Sequence, residues 1–456
     1  CGGYRGDGMY SFDVFDTLIT RKTAVPEGIF AIMQYELGKE EYAVMPVSMR
    51  SNFYQLRIAA ERLARQSYQQ GGIEDVTLEQ IYDVLAVRGE LSREQQIQLV
   101  RLECDIEYRE CIPIEKNVIQ VKKLLADGEK VILISDMYLP KNQIYKMLAK
   151  ADPDLAELQL YVSGDCKKRK YTGAIYEFAM KQSNFIGAEC IHIGDNEKVD
   201  IVAARNAGFR SRLSWFPNLL PIEKNLLDKT PGNVWLNRVI GCSRRARLRL
   251  GEEMTEKGDV LVGTSVGGIL LVFYMQWVIR NALAKGIERL YFMAPDGDVL
   301  KRVADIVIQK TGTAIETYYS QGDICTSGRF AFVAMTEKTC IQKYMSGLLH
   351  DSYAGGFQIF LFSLDQITSV DNCSIFVFYP GRIRKWDILE HFCDISGSKS
   401  DYLAGVEKFT EFFCEDGQMI VQTEDMEQLW KMLTYITETP DKLMVEFLCG
   451  VTGGEV

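Results

Sequence analysis

Residues 10–18, YSFDVFDTL, carry a short apolar strand pattern that breaks at Asp13, where the backbone leaves the sheet. A carboxylate there is suited to ligand chemistry, because the carboxyl ends of parallel strands open onto one crevice. Working outward, VILIS at 131–135, LQLYVS at 158–163, ECIHIG at 189–194 and FRSRLS at 209–214 repeat the strand pattern, with helical periodicity between them. Strands that alternate with helices predict a parallel sheet covered on both faces, an α/β fold.

Between the first two strands stand about a hundred residues of helical pattern alone, over 26–37, 46–70, 77–87 and 92–111. SREQ at 92–95 has the spacing of a capping box. The block is expected as an inserted helical cap at about 23–112. The stretch 214–233, SWFPNLLPIEKNLLDKTPGN, holds three prolines and little periodicity. It predicts a core domain over 9–215, a linker over 216–233 and a second domain over 234–456. That second domain reads as mixed α/β, its strand order not set by the pattern, with an apolar stretch at 260–279, strands at 289–294 and 373–380, a helix at 299–309 and an apolar QMIVQ at 418–422.

With 456 residues, 47% hydrophobic and 25% charged, the chain has globular composition and length for at least two cores. A net charge of -10 provides no positive field for nucleic acid. The twelve cysteines form no C-x-x-C pair and read as free thiols of a cytoplasmic protein. No basic, apolar leader pattern opens the chain, and Met9 is the expected natural start. Only three histidines occur, His192, His350 and His391, so carboxylates are the expected chemical actors.

Four segments carry the chemistry. Asp13 ends the first strand; Ser135 ends the second and precedes Asp136 and Met137, a place where a hydroxyl and backbone N–H groups hold an anionic oxygen. In CKKRKYTG, Lys170 supplies a compact cation, and IHIGDNEKVD supplies Asp195 and Asp200, hard oxygen donors of the kind Mg2+ prefers. Singly, each has a plain structural role as a helix cap, a turn or a solvated charge. Their order, with three of the four at strand ends, sets the group apart.

Together the four segments resemble the motifs of the haloacid dehalogenase (HAD) superfamily over about 10–213, and the helical block resembles its C1-type cap. The resemblance implies a HAD-like Rossmannoid parallel sheet and phosphatase or phosphotransferase chemistry through an aspartyl-phosphate. It implies Asp13 as nucleophile, Ser135 and Lys170 as phosphate ligands, and Thr17 and Asp136 beside them. It also implies Mg2+ held by Asp13, the Phe15 carbonyl and Asp195, with Asp200 orienting the site or binding through water. The family's phosphatases carry D-x-D-x-T, with the second acid serving as general acid and base; here Phe15 fills that slot and Asp16 follows it. The acid-base group is then Asp16, a group from the cap or the substrate, or none, in which case the domain binds phosphate with little hydrolysis. The acidic pair favours Mg2+-dependent phosphoryl chemistry over carbon–halogen cleavage.

In the second half, the uncharged 260–279 has the length of a membrane span, but its glycines and Gln276 favour a buried helix. The Gly267–Gly268 pair suits close backbone packing or an anion near a helix start. Arg244, Arg245, Arg247 and Arg249 read first as a solvated helix face, with anion or membrane-surface binding as the functional alternative. RLYFMAPDGDVL places Asp296, Gly297 and Asp298 at a strand end, as a turn or a ligand position. Residues 291–297 resemble a Y-F-x-A-R-D-G segment of bacterial HAD fusions associated with glycosyltransferases in surface-polysaccharide biosynthesis, with Pro295 replacing the arginine. That resemblance implies a sugar-phosphate, nucleotide-sugar or polyprenyl-linked sugar ligand and a glycosyltransferase partner.

Overall fold

The computed structural model describes residues 8–214, 219–230, 232–293, 297–320, 328–334, 357–362, 373–378 and 400–415. The chain divides into two compact units, one of 1–216 with 231–241 and one of 217–230 with 242–456. The stretch expected as a linker holds a helix, Pro221–Lys229. Pro221 sits in its first turn, where a missing N–H costs no hydrogen bond.

In the first unit the strands are β1 (Met9–Phe12), β2 (Ile19–Arg21), β3 (Cys111–Pro113), β4 (Lys130–Ser135), β5 (Gln159–Val162), β6 (Cys190–Gly194) and β7 (Arg210–Leu213). Five of them form one parallel sheet in the order β5-β4-β1-β6-β7. β1 is central, with Phe12 in register with Leu133 on one side and Ile193 on the other, all three buried. This topology sets the ends of β4, β1 and β6 side by side. Ser135, Asp13 and Asp195, each at or one past its strand end, become neighbours.

The helical block is α1 (Gly28–Leu37), α2 (Val47–Gln69), α3 (Leu78–Gly89) and α4 (Arg93–Glu110). Its stem is the antiparallel pair β2–β3, which aligns Arg21 with Cys111. Two capping boxes start helices, Thr77 with Gln80 and Ser92 with Gln95, the second at the place its spacing predicts. Each closes orphan N–H groups that would otherwise fray the first turn. The cap interior also buries ions. Arg57 makes a two-pronged bond to Glu103 at 2.8 and 2.9 Å, the Tyr82 hydroxyl donates to the same carboxylate at 2.7 Å, and Arg21 holds Glu107 in the same forked way. Such pairs persist in a low-dielectric core because both partners are matched in charge and in hydrogen bonds.

The second unit contains β8 (Arg289–Met293), β9 (Glu316–Ser320), β10 (Phe330–Ala334), β11 (Phe357–Phe362) and β12 (Cys373–Phe378). They form an all-parallel sheet in the order β12-β11-β10-β8-β9. Read from the other edge this is the 2-1-3-4-5 order of a doubly wound sheet, which resolves the topology that periodicity left open. Ala294, Pro295, Asp296, residues 379–380 and the QMIVQ segment lie outside the described residues.

The apolar stretch lies in the helix Gly258–Ala284, and its most apolar window is 89% buried within the protein. Its glycines serve close packing. A Cβ on Gly268 would stand 2.7 Å from the Phe409 ring, and one on Gly405 would stand 2.7 Å from the Val260 carbonyl oxygen, so helix Ser400–Glu415 lies almost backbone to backbone on it. Of the arginine cluster only Arg249 is exposed. Arg244, Arg245 and Arg247 are buried, Arg247 forks onto Glu223 at 2.9 and 2.8 Å, and Arg245 stacks over Phe412 at 4.6 Å. Charge alone did not reveal this, because Glu223 lies more than twenty residues upstream on another helix.

Candidate active site

The carboxyl edge of the first sheet gathers Asp13, Ser135, Asp195, Lys170 and Asp200. The Asp13 amide donates to the Ile193 carbonyl at 2.8 Å, extending the ladder one residue past β1 and fixing where its side chain starts. Lys170 Nζ donates to Asp13 Oδ1 and, at 2.7 Å, to Asp200 Oδ1. Asp200 Oδ1 also meets His192 Nε2 at 3.1 Å, while Oδ2 accepts the Asn196 amide at 3.0 Å. Carboxylate oxygens of Asp13, Asp195 and Asp200 all lie within 4.8 Å of one another. Gly194 makes the cluster possible: a Cβ there would stand 2.5 Å from Asp200 Oδ2, far inside contact distance.

Electrostatics follows from one lysine and three acids, of which Asp13 and Asp200 are buried and Asp195 is partly so. Burial, reinforced by Asp200 against the pull of Lys170, pushes the Asp13 carboxyl up to about 7. Burial with Asp13 and Asp16 nearby pushes Asp195 up to about 8. Burial would raise Asp200 too, but Lys170 and His192 overcome it and hold that carboxylate well below its ordinary range. Burial would strip the Lys170 proton, yet Asp13 and Asp200 hold it on, well above the usual lysine range. The excess negative charge on hard oxygen donors fits a divalent cation such as Mg2+.

The remaining sequence-derived positions fall close by. Ser135 is buried at the end of β4. Asp136 accepts the Lys170 amide at 2.9 Å, so it orders the loop that carries the lysine. The Thr17 hydroxyl points to Asp195 Oδ1 at 3.4 Å. Asp16 adopts a left-handed backbone with φ 58°, its amide donates to the Ile19 carbonyl at 2.7 Å, and its carboxylate accepts the Thr20 hydroxyl at 2.6 Å. Phe15 is nearly buried, with the Arg21 guanidinium 4.7 Å above its ring. Asp16 is thus built into the turn, and the Phe15 slot is apolar.

Two sets of residues were not singled out from sequence. His192 lies in β6, and its signal was a lone histidine alternating with isoleucines two residues before Gly194. The other set is Glu74 and Asp75 in the cap loop ahead of α3. Glu74 accepts the Arg169 amide at 2.8 Å and the Thr172 hydroxyl at 2.7 Å, gripping the loop around Lys170. Asp75 accepts the Ser163 hydroxyl, which in turn accepts the Met137 amide at 2.8 Å. No local pattern announces such contacts, since they join positions some ninety residues apart.

No family model matches the sequence, and no curated protein matches it. Among solved structures, similarity is found to an L-2-haloacid dehalogenase from Xanthobacter autotrophicus with chloropropionic acid covalently bound, at 13% identity over 49% of this chain and 83% of that one, TM-score 0.35. It is also found to the HAD-hydrolase YfnB from Bacillus subtilis bound to magnesium, at 14% identity over 45% and 86%, TM-score 0.31. A third is a 2-haloacid dehalogenase from Pseudomonas syringae, at 16% identity over 47% and 92%, TM-score 0.32.

Proposed function

We propose that the first unit is a Mg2+-dependent HAD-type phosphohydrolase, a phosphatase or phosphotransferase that acts on a small phosphorylated metabolite through an aspartyl-phosphate. The observation that carries this reading is the bond of Lys170 to both Asp13 and Asp200 beside Asp195. Asp13 Oδ attacks phosphorus in line, a new O–P bond forms, and the bond to the leaving oxygen breaks with its electron pair going to that oxygen, which takes up a proton. Water then attacks the acyl phosphate and returns Asp13 and inorganic phosphate. Lys170 offsets charge that would otherwise repel the phosphoryl group from the carboxylate, while Ser135 and backbone N–H groups hold its oxygens. Asp13, Asp195 and the Phe15 carbonyl would hold Mg2+, with Asp200 orienting Lys170 or binding through water. When bound, Mg2+ supplies neutralising charge at the phosphoryl oxygens.

A second reading has one observation in its favour: Phe15 occupies the slot of the second acid, and Asp16 is bonded by Thr20. On it the site binds a phosphoryl group with little turnover and docks a partner, a glycosyltransferase by the resemblance of the 291–297 segment. That segment is also the support for a role in surface-polysaccharide metabolism with a sugar phosphate or nucleotide sugar as ligand, while a cytoplasmic location rests on twelve scattered cysteines without a C-x-x-C pair.

The deciding experiment measures phosphate release from sugar phosphates and nucleotides with and without Mg2+, for the full chain and Asp13→Asn, with intact mass in parallel and chloride release from 2-chloropropionate as control. Metal-dependent release lost in Asp13→Asn is the expected result. A stable phospho-adduct without turnover favours the second reading, and chloride release without phosphate release overturns both.

A further inference from the structure

We infer that His192 is a positioning residue, which fixes Asp200 and through it the ammonium group of Lys170. Side chains alternate along strands, so Cys190, His192 and Gly194 share one face of β6 and Ser11 and Asp13 share the same face of β1. Ser11 and His192 are register partners, and the Ser11 hydroxyl lies 2.8 Å from His192 Nδ1. The empty Cβ position of Gly194 admits the Asp200 carboxylate to His192 Nε2. The result is one polar file through an apolar sheet, from Cys190 through Ser11, His192, Asp200 and Lys170 to Asp13.

The direction of each bond can be assigned. Lys170 only donates, so Asp200 is an acceptor, and an ionised carboxylate has no proton to give. His192 therefore carries a proton on Nε2 and donates it to Asp200, and because a wholly buried ring favours the neutral form, Nδ1 accepts from Ser11. Ser11 in turn accepts from Cys190, whose sulfur lies 3.6 Å away. His192 has no exposed surface and is walled by the rings of Tyr176, centroid to centroid 5.1 Å, and Phe209. Burial requires that both ring nitrogens be matched, and the partner on Nε2 is the same Asp200 oxygen that Lys170 uses. Here the second donor on Asp200 Oδ1 prevents the carboxylate from rotating, so Lys170 has one place to bind it and one direction in which to face Asp13.

The test has two arms, because the kinetic one rests on the phosphohydrolase reading. The first is nitrogen-15 NMR of the full chain with labelled histidine, His192 being assigned by loss of its signals in His192→Gln. The expected state is the neutral Nε2–H tautomer; an Nδ1–H tautomer overturns the inference whether or not the protein is active. The second uses p-nitrophenyl phosphate with Mg2+. His192→Phe is expected to lower kcat roughly 10- to 100-fold at unchanged KM. His192→Gln, which keeps an N–H near the same place, is expected to recover most of the loss. Ser11→Ala, a smaller change should the phenylalanine variant fail to fold, is expected to lower kcat about 2- to 10-fold. Wild-type kcat in His192→Phe, or no recovery in His192→Gln, overturns the inference. If wild type shows neither turnover nor a phospho-adduct, the phosphohydrolase reading is what fails, and the tautomer still decides the role of His192.

Discussion

Lys170 bridges Asp200, 2.7 Å away, and Asp13 with about 1% of its surface exposed, so one ammonium group holds two carboxylates that would otherwise repel each other. Lys170→Met leaves both acids buried without the cation they share. Removing one member of a buried charge group costs about 3–5 kcal/mol, and that loss is expected in urea unfolding at neutral pH. Phosphate release is expected to vanish with it. Lys170→Arg restores little, since a planar fork cannot occupy the place of a point charge between two oxygens. Wild-type stability in Lys170→Met would show that the acids are hydrated and that the cluster is loosely held.

The pH dependence has a definite sign. Asp13 near 7 and Asp195 near 8 lie above the ordinary carboxyl value of 3.8, so the folded state binds these protons more tightly than the unfolded chain. Their contribution to stability is full below about pH 4 and is lost as pH rises through 7 to 8. Asp200, held low, has the opposite slope and loses its contribution as pH falls through the acid range. Because Mg2+ competes with the protons on Asp13 and Asp195, its affinity is expected to increase from pH 6 to pH 8.5. The thermal shift at fixed Mg2+ should grow over the same interval and be lost in Asp195→Ala. A shift that is flat with pH would mean that Mg2+ binds elsewhere.

Much of this site was legible because parallel α/β topology converts linear order into position. Asp13, Ser135 and Asp195 each end a strand pattern, and the sheet makes those ends adjacent. The cap helices were legible from periodicity and from the Ser92–Gln95 box. What stayed hidden depends on partners distant in sequence. Read alone, Asp16 is free for acid-base work and the arginines are solvated; in the fold Thr20 bonds Asp16, Glu223 holds Arg247 and Phe412 lies under Arg245. His192 was hidden for a different reason, since an isolated polar residue in an apolar strand does not reveal which of its neighbours it bonds.

The cap loop makes a separate prediction. Asp75 accepts the Ser163 hydroxyl and also pairs with Arg65, and Ser163 orders the Met137 amide just past Ser135. Asp75→Ala is expected to cost about 1.5–3 kcal/mol, as for hydrogen bonds to a charged group. The local signature is faster hydrogen exchange at Met137, because Ser163 is then free to turn away. Exchange at Met137 identical to wild type would place the strength of that contact elsewhere in the loop.

Phe15→Asp tests what the missing acid does. General acid-base catalysis contributes about 10²- to 10⁴-fold, so a carboxylate in that slot is expected to raise turnover at least tenfold. The gain should be uneven. Arg21 lies 4.7 Å over the present ring and is itself held by Glu107 at 2.8 and 2.9 Å, so a carboxylate at 15 faces a fixed cation that favours its ionised form. An ionised group is a better base than acid. Hydrolysis of the phospho-enzyme is therefore expected to accelerate more than its formation, and in rapid-quench kinetics the initial burst should shrink. Asp16→Asn is expected to leave both steps within about twofold, because Thr20 already holds that carboxylate in the turn. Loss of dephosphorylation in Asp16→Asn would instead make Asp16 the working base and the Thr20 bond a ground-state contact broken during the reaction.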